Sequence, residues 1–409
     1  MFPHYTDPLR EIFERQATIM NKFFKNAAAI TLVAAMAIPF AGCSNSGSSS
    51  DGATMVIGGI GPVTGAAAIY GTNVKNGAQI AVNEINAAGG VNGIKLVLEF
   101  QDDEHDAEKA VNAYNALKDK GMKALVGTVT SAPCVAVVEE THNDNMFQIT
   151  PSGSAVDCIK YDNAFRVCFT DPSQGVTAAQ YIGSQKLATK VAVIYDSSDV
   201  YSAGIYEGFA GEAANQGLEI VTAQAFTADS NTDFSVQIQK VAESGAELLF
   251  LPIYYQQAAL IMQQAQGTLD VTIFGGDGLD GVIDQLGDDV AIAQDVLVMT
   301  PFAASSTDEK SVKFTEAYKE LTGGEIPIQF AADAYDAVYA IKAAMEKAGI
   351  KDANISVSEL GDALKKAMTE ITLDGITGST TWDAAGEPTK APKVMRIVVT
   401  DGVGSYVAA

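Results

Sequence analysis

Positive charge is scarce in this 409-residue chain, where 26 Lys and Arg face 50 Asp and Glu for a formal charge of −24. An acidic body of this kind repels phosphate backbones and anionic lipid surfaces, which excludes nucleic acid and electrostatic membrane binding as its business. Histidine is scarcer still, with three residues in all. His142 follows Glu139-Glu140-Thr141 late in a helical pattern and His105 sits in an acidic loop, so both read as surface residues. Neither is placed to serve Ser131 or Ser154 as a base, which argues against a Ser-His-Asp hydrolase. The cluster Asp102-Asp103-Glu104-His105-Asp106 lacks the ligand spacing and central glycine of a calcium loop, and reads as a cap for a helix from Ala107. A dinucleotide fingerprint is missing too. Gly59-Ile60-Gly61-Pro62-Val63-Thr64-Gly65 is one residue too long, and no acidic residue ends the next strand. No cofactor and no metal are expected.

Cysteine and long apolar runs are also in short supply. Of four cysteines, Cys158 and Cys168 lie ten positions apart, so a disulfide closing that loop and a pair of free buried thiols both remain open. Cys134 reads as a small buried residue. The long apolar run Ala27–Phe40 spans 14 residues, short of the ~20 a membrane-spanning helix needs. Its context is that of a lipoprotein export signal, MNKFFKNAAAITLVAAMAIPFAGC over residues 20–43. Lys22 and Lys25 precede the run, small residues precede Cys43, and SNSGSSSDG comes next as a flexible tether. Phe40 stands where such signals usually carry Leu. Met20 is the expected start, Cys43 the expected lipidated residue, and 43–53 the tether; an ordinary signal peptide cut elsewhere is the alternative. Residues 1–42 carry four basic and three acidic residues, so the chain beyond them stands at −25.

Residues 43–409 are enough for two domains. Apolar runs of strand character alternate with helical patterns. The strands are expected at Met55–Ile60, Leu96–Gln101, Ala124–Val129, Phe147–Thr150, Val191–Tyr195, Ile220–Ala225, Leu248–Ile253, Thr272–Phe274 and Val296–Thr300. Helices are expected between them, among others at Asn73–Ala87, Ala107–Lys120, Thr177–Gln185 and Ala203–Gln216. Nearly all-apolar strands separated by helices imply parallel sheets covered on both faces, and their number implies two sheets. The tail adds helices at 309–321, 331–347 and 357–369, then strands near Ser379–Trp382 and Val394–Thr400.

In open parallel sheets ligands sit beyond the carboxyl ends of the strands, and five such loops suit one kind of ligand. Thr130-Ser131-Ala132-Pro133 places Ser131 or Ala132 at a helix N-cap with Pro133 near the first helical position, a seat for an anion. Pro151-Ser152-Gly153-Ser154 gathers two hydroxyls around a glycine, and Gly275-Gly276-Asp277-Gly278 offers a carboxylate with little steric cover. Tyr201 and Tyr254-Tyr255 stand at two further strand ends. Taken singly, each loop is a capped helix start, a turn or a packing tyrosine.

Together they carry a resemblance. GPVTGAAAIYG (61–71), AVNEINAAGGVNG (81–93), QDDEHD (101–106), ITPSGSA (149–155), FTDPSQG (169–175), GGDG (275–278) and TWDAAGE (381–387) occur in the order and spacing of the bacterial Leu/Ile/Val-binding proteins. The chain from about residue 54 onward resembles these receptor subunits of branched-chain amino acid ABC transporters. The resemblance implies the type I periplasmic-binding-protein fold: α/β, two doubly wound parallel-sheet lobes joined by three crossovers, near Thr170–Pro172, Thr300–Pro301 and Ser379–Thr380. Lobe 1 would comprise 54–171 and 301–379, lobe 2 172–300 and 380–409. It implies Ser131 and the Ser152 backbone on a ligand carboxylate, and Ser154 with Asp277 on its ammonium. Ser154 stands where the family commonly has Thr, and Asp277 where it often has Glu. Tyr70, Tyr201, Tyr254 and Phe330 would line the side-chain pocket, with Tyr255 the alternative to Tyr254. QDDEHD carries no Cys, so the disulfide that some relatives make from that loop is absent. The partners implied are a zwitterionic amino acid, an ABC permease and, through Cys43, the membrane, with the receptor acting as a monomer and not as an enzyme. Amides, urea or aromatic acids as ligands, and ligand sensing instead of transport, are the alternatives within the fold; a nicotinamide-dependent oxidoreductase is the remote one.

Overall fold

A computed structural model describes residues 53–409. The export signal, Cys43 and the tether up to residue 52 lie outside the described residues. Among the described residues no helix is long and apolar enough to cross a membrane. The first sheet holds β1 (Thr54–Gly61), β2 (Lys95–Asp102), β3 (Met122–Gly127), β4 (Phe147–Thr150) and β5 (Ala164–Arg166), all parallel, in the order β2-β1-β3-β4-β5. The second holds β6 (Lys190–Asp196), β7 (Glu219–Phe226), β8 (Leu248–Leu251), β9 (Thr272–Gly275) and β10 (Leu297–Met299). A two-strand ribbon, β11 (Leu373–Asp374) with β12 (Ser379–Thr380), stands apart, while β13 (Val394–Thr400) and β14 (Val403–Ala408) add an antiparallel edge to the second sheet. That sheet runs β14-β13-β10-β9-β8-β6-β7. Its interior strand β8, Leu-Leu-Phe-Leu, is buried at every residue, as a strand covered on both faces must be. In both sheets the strand order reverses beside the first strand, so the loops after β1 and β3, and after β6 and β8, diverge and open a crevice.

The chain enters the second sheet after β5, returns after β10, and crosses again between β12 and β13. On its return, helix Gln329–Lys347 packs along helix Ala68–Ala87 over the first sheet. The two backbones approach so closely at Gly77 that a Cβ there would collide with the Ala331 carbonyl. A buried charge cluster ties the same helix to the last crossover. Lys390 Nζ lies 3.1 Å from Asp333 Oδ1 and 2.5 Å from Thr377 Oγ1. Asp336 accepts the backbone N–H groups of Ile376 and Thr377, each at 2.9 Å. Burial still pushes the Asp333 carboxyl up to about 6, against the pull of the Lys390 ammonium.

Several boundaries depart from the periodicity. Helices begin earlier than expected, at Ala68 instead of Asn73 and Asp171 instead of Thr177. Their first turns carry cleft-facing or capping residues in place of an apolar stripe; Thr170 Oγ1, for one, accepts the Ser173 N–H at 3.2 Å. β3 ends at Gly127, two residues before the expected Val129. The carbonyls beyond it bond side chains instead of a neighbouring strand: Thr150 Oγ1 donates to Thr128 O and Ser152 Oγ to Val129 O, both at 2.6 Å. β5, β11 and β14 were not expected. The first two are three and two residues long, too short for a period to register. β14 had a readable signal in Asp401-Gly402, whose φ of 51° and 78° close a two-residue hairpin.

Lys390→Met leaves Asp333 and Asp336 buried without a counter-charge and is expected to cost roughly 3–5 kcal/mol, read as a lower urea midpoint. Adding Asp333→Asn restores a large part of it.

Candidate functional site

Tyr70, Ser131, Ser152, Tyr201, Tyr254, Asp277 and Phe330 line one cavity between the two crevices, together with Val129, Thr130 and Gly278. Ser154 stands behind it, donating its backbone N–H to Ser131 Oγ at 3.3 Å. The cavity is small, about 10 Å³.

The side nearest the first sheet is rich in hydroxyls and N–H groups. Helix Ser131–Asn143 begins one residue earlier than expected: Thr130 is its N-cap, Ser131 is already helical, and Pro133 falls in the first turn. The Thr130 side chain makes no cap bond, because its hydroxyl pairs with His105 Nδ1 at 2.8 Å. The first-turn N–H groups therefore stay available toward the cleft. Ser131 Oγ accepts the N–H groups of Ser154 and Ala155 at 3.3 and 3.2 Å, and its own proton remains free to donate outward.

Asp277 lies across from them, 4 % exposed. Its Oδ1 accepts the Tyr201 hydroxyl at 2.8 Å, and that hydroxyl oxygen in turn accepts the Gly278 N–H at 2.7 Å. Gln174 Oε1 takes the Asp277 N–H at 2.9 Å, and Gln329 Nε2 donates to the Asp277 carbonyl at 3.0 Å. The flanking glycines serve this contact. A Cβ at Gly276 or Gly278 would come within 2.9 or 2.6 Å of the Tyr201 hydroxyl oxygen, so their role is close approach and not a turn conformation. Burial raises the Asp277 carboxyl to about 6, with the Tyr201 and Gln174 hydrogen bonds acting against the rise.

The aromatic wall is continuous. Tyr201 and Tyr254 stack at 4.7 Å, Tyr70 and Phe330 at 4.3 Å, and Tyr70 meets Tyr254 edge-on at 5.6 Å. Tyr254, not Tyr255, lines the cavity; Tyr255 packs edge-on against the outer side of Tyr70 at 4.8 Å. The Tyr70 hydroxyl spans the cleft, donating to Gly278 O and accepting the Tyr255 N–H at 3.1 Å.

Three residues carry roles that the sequence alone does not reveal. Asp171 is 1 % exposed and neither carboxylate oxygen has a hydrogen-bond partner. Burial drives its pKa well up, against the pull of the Ser154 hydroxyl beside it and with the Asp277 charge adding to the rise. Its signal lies in FTDPSQG, which as sequence marks only a crossover. Arg166, fully buried, donates to the carbonyls of Gly153, Ser154, Ala155 and Val156 at 2.7 to 3.3 Å and so sets the serine loop. His105 is not a detached surface residue: its ring meets Tyr254 edge-on at 5.5 Å. His142 stays exposed, stacked on Tyr161. The acidic loop caps as expected, Asp106 accepting the Lys109 N–H at 2.8 Å.

Cys134, Cys158 and Cys168 are all free and buried. The Cys158–Cys168 disulfide is therefore not formed, and the free-thiol alternative holds. Cys158 sits on a short helical turn packed against helix Ser131–Asn143, where its thiol faces Ser131 O at 3.8 Å.

The chain is similar to known proteins over nearly all of the described residues. A family model described as periplasmic binding protein matches residues 54–402. The Leu/Ile/Val-binding protein BraC3 of Rhizobium johnstonii is 33% identical over 315 residues, covering 76% of this chain and 84% of its own. The leucine-, isoleucine-, valine-, threonine- and alanine-binding protein of Pseudomonas aeruginosa is 29% identical, covering 87% of this chain and 92% of its own. Among solved structures, the branched-chain amino acid transporter substrate-binding protein LivJ of Streptococcus pneumoniae, in complex with isoleucine, superposes with a TM-score of 0.76. It is 28% identical over 87% of this chain and 100% of its own.

A carboxyl-labelled NMR titration should find the Asp277 midpoint near 6. Tyr201→Phe removes a hydrogen bond worth about 1 kcal/mol and should place that midpoint nearly one pH unit higher.

Proposed function

The chain belongs to the periplasmic binding protein family, and on that footing we propose that it captures a free branched-chain L-amino acid outside the cytoplasm and delivers it to an ABC permease. The carboxylate sits at the start of helix Ser131–Asn143, on Ser131 Oγ and the Ser152 N–H. The ammonium sits between Ser154, Asp171 and Asp277, and the aliphatic side chain among Tyr70, Tyr201, Tyr254 and Phe330. The observation that carries this reading is the buried Asp277 carboxylate facing Ser131 and Ser152 across one cavity, with a second buried carboxyl, Asp171, beside Ser154. A zwitterion compensates both sides. An aromatic acid has no ammonium and would leave the buried Asp277 carboxylate without a counter-charge.

A cavity of about 10 Å³ cannot admit a leucine, so the lobes part for entry and close on the ligand, which touches both only when closed. In this reading the lobes are 54–171 with 301–379 and 172–300 with 380–409, hinged near 170–172, 300–301 and 379–380, and the receptor acts as a monomer. It is held to the membrane by lipid on Cys43 through the tether 43–53; Cys43→Ala should move the protein from the membrane to the soluble fraction.

Calorimetric titration with L-leucine, L-isoleucine and L-valine, after unfolding and refolding to strip carried-over ligand, tests the reading. Micromolar binding, about −8 kcal/mol, is expected. Asp277→Ala leaves the ammonium short of a partner and should cost roughly 3–5 kcal/mol, abolishing measurable heat. The ammonium binds ionised Asp277, whose free-state midpoint near 6 makes affinity fall with falling pH, about tenfold between pH 7 and pH 5. Asp171, Asp280 and Asp333 face the same carboxylate and act in the same direction. Absence of binding to these and to every other standard amino acid would overturn the assignment.

A further inference from the structure

The three buried thiols are not equivalent. Cys134 and Cys158 share one apolar cluster with Val138, Ala155, Ile159 and Ala164, and Cys168 lies outside it. Cys134 stands near the start of helix Ser131–Asn143, and Cys158 on the short turn Val156–Ile159 that packs against that helix. Cys134 Sγ is 4.0 Å from Cys158 O, and Cys158 Sγ is 3.8 Å from Ser131 O, three positions before Cys134. These reciprocal contacts set the two side chains against each other. Cys168 meets different company: burial raises its thiol, and the charges acting on it are those of Arg166, Asp277, Asp333 and Lys390.

The surroundings of Cys134 favour its thiolate. Gln148 Nε2 donates to its sulfur at 3.4 Å, and Thr141 fixes that amide by donating to Gln148 Oε1 at 2.7 Å. The helix start adds its N-terminal dipole. Burial works to raise the Cys134 thiol, but the Cys158 thiol, Thr128 and the Arg166 charge outweigh it and bring it below the usual range. Burial pushes Cys158 well up, with the contact to Cys134 acting in the same direction. One sulfur is disposed to act as nucleophile while its neighbour holds a proton.

We propose that Cys134 and Cys158, reduced in this structure, are a redox pair that closes to a disulfide in the oxidising space outside the cytoplasmic membrane, where this family acts. The oxidant is the disulfide of a small thiol. The Cys134 thiolate attacks one of its sulfurs and expels the other as a thiolate, leaving a mixed disulfide on Cys134. Cys158 gives up its proton and attacks Cys134 Sγ, expelling the second small thiolate. Two small thiols are released for each protein disulfide made. The turn itself gives access: it is four residues long, with Val156 58 % exposed on its outer side, so it opens locally or closes late in folding. Once made, the bond encloses Ser152 and Ser154 in one covalent ring with the helix start beside Ser131. The pair depends on the family's location and not on the ligand proposed above.

Refolding the purified protein from urea into a mixture of reduced and oxidised glutathione tests it, read by acid quench, alkylation with N-ethylmaleimide and peptide mapping. A peptide pair joined through Cys134 and Cys158 is expected, with Cys168 alkylated. Exposing the native protein to oxidised glutathione at pH 8 should give the same map more slowly, and serves if refolding fails. The oxidised protein should melt about 5 °C above the same protein treated with dithiothreitol, because a closed loop constrains the unfolded chain. Cys158→Ser should abolish that difference and Cys168→Ser should keep it. Cys134 and Cys158 both alkylated after either treatment that leaves folded protein, or a bond made through Cys168, would overturn the pair. So would a Cys134–Cys158 bond that lowers the melting temperature, since the native packing would then not accept it. None of these readouts depends on whether leucine binds.

Discussion

A carboxylate taken out of water must be held in place by the structure around it, and Asp277 is held from three separate helices, at its carboxylate by one hydroxyl donor and at its main chain by two side-chain amides. Tyr201 reaches it from helix Val200–Ala213, Gln174 from helix Asp171–Gln185 and Gln329 from the start of helix Gln329–Lys347. The first two cover the second sheet and the third returns over the first. Placing one acidic side chain correctly therefore requires the whole junction to be assembled. The glycines on either side of Asp277 belong to that requirement, since any side chain there would displace the Tyr201 hydroxyl.

The opposite side is organised by a charge of the other sign. The guanidinium of Arg166 gathers four consecutive carbonyls of the serine loop, fixing the loop whose Ser154 and Ala155 N–H groups hold Ser131 Oγ at the cleft. Its carbonyl accepts the Trp382 indole N–H at 2.6 Å, and its Nε lies 3.3 Å from Glu387, which brings the third crossover against the same strand. The cleft thus has a basic scaffold behind its donor wall and the Asp277 carboxylate in the wall opposite, the arrangement that a zwitterion complements.

The alternation of sheet and helix was legible because fully covered strands such as Leu248–Leu251 are apolar throughout. The carboxyl-end loops were legible because their residues, Ser131, Ser152 and Asp277 among them, stand immediately after those strands, and the recurrence of motifs joined them into one site. Asp171 and Arg166 were not, because their meaning lies in what surrounds them. An acid before a proline reads as a helix start, and an arginine amid apolar residues reads as an interruption; only the fold shows that one is buried without a partner and the other holds a loop. Helix starts failed for a related reason, since periodicity tracks the core while the first turns face the cleft. The cysteine spacing of ten carried no information about which sulfur each thiol faces.

The Tyr70 hydroxyl joins the two sides of the cleft through Gly278 and Tyr255, using protein atoms alone. Closure consequently has a bias of its own, present whether or not an amino acid is held. For any membrane complex that recognises the shut form, an empty receptor that closes by itself is a false report. The strength of these bonds, together with those of Gln329 to Asp277 and Asp280, then sets the background above which nutrient has to be detected. A receptor latched too firmly would drive idle cycles of the transporter, and one latched too loosely would give up affinity at each closure.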